Sequence, residues 1–134
     1  MKLLLDTHIA LWAILDDDFL SLKARNMILN PENTIFCSSV SSWEVLLKHT
    51  TDPKNLYISA RDFIERCKRA GFTSINLTDQ HILGVESLMR PENAPEHKDP
   101  FDKLLLSQAI LEKMSFLTHD KKFSDYNEDC VIIV

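Results

Sequence analysis

Apolar residues fall into two rhythms along this chain, short unbroken runs and longer stretches with helical spacing. Leu3–Leu5 is a run of three leucines ended by Asp6, which predicts a short buried strand. Ile9–Leu15 follows with Leu11, Trp12 and Leu15 on one helical face. Leu22–Leu29 reads as a second helix, capped by Ser21 and stopped before Pro31. Thr34–Cys37 is short, apolar and β-prone, and SSVSSWEVLLK begins the next helix with serines to cap it. Pro53 and Asn55 predict a loop, and Ser59 a cap for a helix over Ala60–Ala70 ended by Gly71. Phe72–Leu77 predicts a strand, and Thr78 caps a helix to about Met89. The polar, proline-bearing RPENAPEHKDP is a loop leading into a helix over Phe101–Lys113. A strand Ser115–Thr118, a helical turn near Lys121–Ser124 and a strand Val131–Val134 complete the pattern.

Strands alternating with helices predict a parallel sheet with both faces covered, an α/β protein. The 134 residues suit a single domain spanning 1–134. Ligands in such folds gather beyond the carboxyl ends of the strands, near the point where strand order reverses. That rule selects residues. Asp6 directly follows the first strand, and Asp120 lies two residues past the strand ending at Thr118. Glu44 falls in the predicted first turn of the helix after TIFC. Asp99 and Asp102 fall at the start of the helix after the proline loop, which reaches this edge if the loop carries the chain back across the sheet.

Each acid also has a purely structural reading. Asp6 could cap the helix at Ile9, Ser41 and Glu44 match a capping box, and Asp120 could open a turn. Pro100 is preferred at the first helical position, which makes Asp99 the N-cap and Asp102 the third helical residue. Together, however, carboxylates crowded at one sheet edge repel unless a cation compensates, and a hard divalent ion with oxygen ligands does so. Histidine is too scattered to predict a zinc site, and the His97-x-Asp99 pair is a weak signal by itself.

Composition narrows the classes without choosing among them. A net charge of −5 argues against binding nucleic acid through bulk electrostatics, but not against a nuclease whose acids hold a metal. Cys37, Cys67 and Cys130 are odd in number and unpaired in spacing, which predicts reduced thiols and a cytoplasmic protein. MKLLL is too quickly broken by Asp6 to serve as a signal peptide, and no run is long enough to span a membrane.

Four segments in this order, LLLDTHIALW, SSWEVLLK, HKDPFDKLLLSQA and FLTHDKKF, resemble the motifs of PIN-domain nucleases. The closest resemblance is to the VapC-type toxins of bacterial toxin–antitoxin pairs, and it covers the chain from Leu3 to the terminal VIIV. It implies a three-layer α/β/α sandwich around a mainly parallel sheet of four to five strands. It also implies an acidic quartet at Asp6, Glu44, Asp102 and Asp120, with Thr118 as the strand-end hydroxyl and Thr7 as the small polar residue after the first acid. Members cut RNA with Mg²⁺ or Mn²⁺, form homodimers in many cases and are silenced by a cognate antitoxin. Phosphodiester hydrolysis with one or two ions per site is therefore expected, with Asp102 a ligand and Asp99 the cap that aims it. Lys98 and Lys103 stand where relatives often carry Arg, and HTTDPKN replaces a glycine-containing turn.

Lys48, Lys103, Lys121 and Lys122 are candidate backbone contacts, although each reads equally as a solvated lysine, and Lys48 as an ion-pair partner of Glu44. His8 and His119 read as structural, Trp12 and Trp43 as core or dimer interface. A receiver-type phospho-accepting domain shares the α/β pattern but needs an Asp ending a middle strand; FCSS and SINL offer none. A housekeeping nuclease or a silent binding module of the same fold is the other alternative.

Overall fold

A computed structural model of the protein describes residues 1–52, 54 and 58–134. The loop expected at Pro53 and Asn55 lies outside the described residues. Five strands, β1 (Lys2–Leu5), β2 (Thr34–Ser38), β3 (Thr73–Ile75), β4 (Ser115–Thr118) and β5 (Val131–Ile133), form one sheet in the order β3-β2-β1-β4-β5. Every pairing is parallel, with Leu4 opposite Phe36 on one side and Phe116 on the other. The strand order reverses at β1, so the switch point lies between β1 and β4.

The helices are α1 (Thr7–Ile14), α2 (Leu22–Leu29), α3 (Ser39–Thr51), α4 (Ala60–Arg69), α5 (Asp79–Gly84) and α6 (Pro100–Leu111). They form the outer layers of a three-layer α/β/α sandwich. The alternation of side chains along β1 explains its unbroken leucine run. Leu3 and Leu5 pack with Ile9, Ala10, Ala24 and Phe63 on one face, while Leu4 packs with Val40, Leu105, Leu106 and Phe116 on the other. All three leucines are fully buried, each contributing about 1.5–3 kcal/mol of hydrophobic stabilisation.

Several expected boundaries move, each for a local reason. Asp6 caps α1 directly, so the helix starts at Thr7 rather than Ile9. Ser38 caps α3 by accepting from the Val40 N–H, so the capping box expected at Ser41 and Glu44 does not form and Glu44 sits in the second turn. Strand β3 is shorter than Phe72–Leu77 because it is an edge strand paired only with β2; the Leu77 N–H turns instead to Ser39 Oγ at 3.0 Å. Helix α5 stops at Gly84 and passes through a 3₁₀ turn, Val85–Ser87, to extended backbone at Leu88, short of the expected Met89. Arg90 precedes Pro91, where helix is disfavoured. At Gly84 a Cβ would collide with Ser107 Oγ, so this glycine is what lets α5 approach α6.

Helix α6 starts as its sequence indicates, one residue before Phe101. Asp99 accepts from the Phe101 N–H at 2.9 Å and the Asp102 N–H at 3.3 Å, with Pro100 in the first position. It ends at Leu111 rather than Lys113, because Lys113 adopts a left-handed conformation at φ 55°. Replacement of this cap, Asp99→Ala, is expected to lower stability by about 1 kcal/mol in denaturant unfolding, with the sheet intact.

Candidate metal centre

The carboxyl edge of the sheet gathers the acids from four different connections. Asp6 leaves β1 nearly buried, and its backbone N–H bonds to the Leu117 carbonyl at 2.9 Å, continuing the β1–β4 pairing one residue past the strand. One Asp6 oxygen accepts from the Thr7 N–H at 2.7 Å, and the other from the Thr118 hydroxyl at 2.6 Å. Thr118 Oγ1 also accepts from the Asp120 N–H at 3.1 Å, so one buried hydroxyl joins the first acid to the loop bearing the last. Asp120 in turn caps a 3₁₀ helix, Lys121–Tyr126, through the Lys122 N–H. The structural reading of Asp6 and of Asp120 as caps holds, and it leaves each carboxylate with lone pairs to spare.

Glu44 comes from α3 and is 2% exposed. Lys48, one turn on, holds Oε2 at 2.5 Å, while the buried Oε1 has no hydrogen-bond partner among the described residues. The Thr7 hydroxyl donates to Ser41 Oγ at 2.8 Å, fastening α1 to the helix that carries Glu44. Asp102 enters from α6, whose N-terminus the loop after α5 does bring to this edge. A ring nitrogen of His97 and carboxylate oxygens of Asp102 and Asp120 lie within 4.8 Å of one another. In sequence His97 stands out only as a weak pair with Asp99; its partner in the fold is Asp102, and that placement depends on how the loop folds.

Electrostatics show how closely the acids converge. Asp102 is pushed from 3.8 to about 8 by burial first, and then by the charges of Asp6, Asp99, Glu44 and Asp120. Burial also raises Asp6, against the hydrogen bond from Thr118 and the pull of His8, and Glu44 adds to the rise. Burial alone would lower Lys48, but the hydrogen bond and charge of Glu44, with Asp99 and Asp102 behind, hold it above its ordinary value. Burial pushes the His97 imidazole down despite the nearby Asp120.

The residues fit a hard divalent cation. Carboxylate oxygens predominate, one buried Glu44 oxygen is without a partner among the described residues, and burial with the clustered negative charge raises Asp102 to about 8 unless a cation offsets it. Of the candidate lysines, Lys48 is engaged with Glu44, and Lys121 and Lys122 open the turn after Asp120. Trp12 is half-buried, packing against the core around Leu3 and Leu5 with the rings of His8, Phe19 and His119 at 5.3–5.9 Å, whereas Trp43 is 54% exposed and lies outside the core.

The acids gather at the switch point of a doubly wound parallel sheet, beyond the ends of β1 and β4. The sequence profile of the PIN domain matches residues 3–129, and the chain belongs to that family of nucleases. No curated protein sequence matches the chain. In three dimensions it is similar to a chain in VapBC2 from Rickettsia felis bound to a DNA fragment from their promoter. The two share 20% identity over 100% of this chain and 98% of that one, with a TM-score of 0.69, a likeness of fold.

The raised Asp102 has a consequence for stability. Its folded form binds a proton that the unfolded chain releases near 3.8, so its contribution is present below that pH and is lost as pH rises through about 8. The metal-free protein is therefore expected to melt at progressively lower temperature between these limits. Asp102→Asn should flatten the slope, as thermal denaturation across the pH range will show.

Proposed function

We propose that the protein is a ribonuclease dependent on Mg²⁺ or Mn²⁺ and the toxin of a toxin–antitoxin pair. The observation that carries this reading is the convergence of Asp6, Glu44 and Asp120 on the partly buried Asp102, together with the unpartnered oxygen of Glu44. A divalent ion held there would supply Lewis acidity, lowering the pKa of water and offsetting charge on the phosphate.

The chain's own groups have distinct parts. Asp6, Asp102 and Asp120 offer the ligand oxygens, one or two ions being held among them and Glu44. Thr118 fixes the rotation of Asp6 by donating to one oxygen, and Thr7 tethers the other. Lys48 anchors Oε2 of Glu44, which leaves Oε1 to ligate or to accept a proton from the attacking water. Lys103, Lys121 and Lys122 border the site and would meet the RNA backbone.

The partners follow from the VapC-type motifs: a co-encoded antitoxin and a second copy of the chain. The assembly named for the Rickettsia felis neighbour supports a protein partner. Exposed Trp43 and Leu46 on α3, with Ile82 and Leu83 on α5, offer apolar surface for one. No described helix is long and apolar enough to cross a membrane.

Purified protein is expected to cleave RNA with Mn²⁺ and to stop when EDTA is added. Asp6→Asn and Asp102→Asn should each lower the rate by roughly 10²–10³-fold or more, since metal stabilisation is worth several kcal/mol. Cleavage that survives EDTA or both substitutions rules the assignment out. Expression should arrest growth unless the neighbouring small protein is co-expressed; an active enzyme that leaves growth untouched is a housekeeping nuclease.

A further inference from the structure

Behind Asp102 runs a chain of buried polar groups that the reading above leaves without a task. His97 is 3% exposed and sits near the end of the loop between the 3₁₀ turn Val85–Ser87 and α6. One ring nitrogen, Nε2, lies 2.7 Å from Asp102 Oδ2, and the other, Nδ1, lies 2.9 Å from the Tyr126 hydroxyl. Tyr126 is itself 5% exposed and closes the 3₁₀ helix that Asp120 opens.

The ring is held on its faces as well as at its nitrogens. Phe123 meets it edge-on, with centroids 5.1 Å apart at 85°, and Tyr126 packs at 5.6 Å. Arg90, from the start of the same loop, lies 5.3 Å from the Tyr126 ring centroid and pairs with Asp125 at 3.0 Å. Its guanidinium also donates to the Pro95 carbonyl, so both ends of the loop are tied to the turn beneath the site.

The direction of the chain follows from valence. With a cation in the centre Asp102 is an ionised carboxylate that only accepts, so the Nε2 facing it carries the hydrogen and Nδ1 accepts from the Tyr126 hydroxyl. Tyr126 thereby fixes the tautomer and orientation of His97, and His97 holds Oδ2 of Asp102. Oδ1 remains for a cation. We propose that His97, set by Tyr126, is a positioning residue that aims Asp102 into the metal centre and joins it to the turn that presents Asp120. The role rests on the metal-centre reading above. Groups of this kind behind metal ligands typically change affinity by about 10–100-fold when removed.

The test is Mn²⁺ binding to the full-length chain by isothermal titration calorimetry without RNA, with the melting curve of each metal-free protein as a folding control. His97→Asn is expected to weaken binding roughly 10–100-fold. Tyr126→Phe, which removes only the hydroxyl that meets His97 Nδ1, should weaken it several-fold while melting cooperatively. Because Tyr126 acts through His97, the double variant should bind no worse than His97→Asn alone. Unchanged affinity in Tyr126→Phe, or losses that simply add, would overturn the relay. If the unmodified protein binds Mn²⁺ and the variants match it, only the relay falls; if it binds none, the metal-centre reading falls and takes this role with it.

Discussion

Repulsion among buried carboxylates is the constraint around which this molecule is arranged. Asp6 and Glu44 are taken out of water and Asp102 partly so at one edge of the sheet, where like charges act on one another through a poor dielectric. A fold that did this for stability alone would be working against itself. Each carboxylate is accordingly held by donors: Thr118 and Thr7 take one oxygen each of Asp6, while Lys48 takes one oxygen of Glu44 and His97 one of Asp102.

The seam between β1 and β4 is what makes this possible. Its last hydrogen bond, from Asp6 to the Leu117 carbonyl, brings the two strand ends together at the point where the strand order reverses. Thr118 sits in that seam with its hydroxyl between Asp6 and Asp120. A slip of one residue in β4 would turn Thr118 toward the opposite face and separate the two acids. The buried side chains of Leu3, Leu4 and Leu5 and of Phe116 and Leu117 prevent that slip, so hydrophobic packing on both faces sets the precision of a polar site.

The turn beneath Asp102 adds a second fastening. Helix α6 is started by Asp99 and Pro100, while the loop preceding it is tied by Arg90 to Asp125 and by His97 to Tyr126. The same 3₁₀ helix thus carries Asp120 at one end and the support for Asp102 at the other. Two acids distant in sequence share one small rigid element.

Much of this was legible along the chain, because local chemistry governed it. Alternating apolar runs gave the parallel α/β pattern, and Pro100 with Asp99 located the start of α6. The rule for carboxyl ends singled out Asp6, Glu44, Asp99, Asp102 and Asp120, and motif order chose Asp102 over Asp99 and added Thr118. Other features depended on neighbours that no local pattern specifies. Ser38 took the capping role because its hydroxyl also meets Gln108 on α6 at 2.5 Å, leaving Ser41 to bind Thr7. β3 was shortened by lying at the edge, and His97 reached Asp102 only through the path of a proline-rich loop. By itself, then, the sequence determined which residues could be strand, helix, cap or ligand, since these are matters of propensity and spacing. Only the tertiary structure decided which carboxylate oxygens are left unpaired and what stands behind them, because hydrogen bonds across distant segments exist only once those segments are packed.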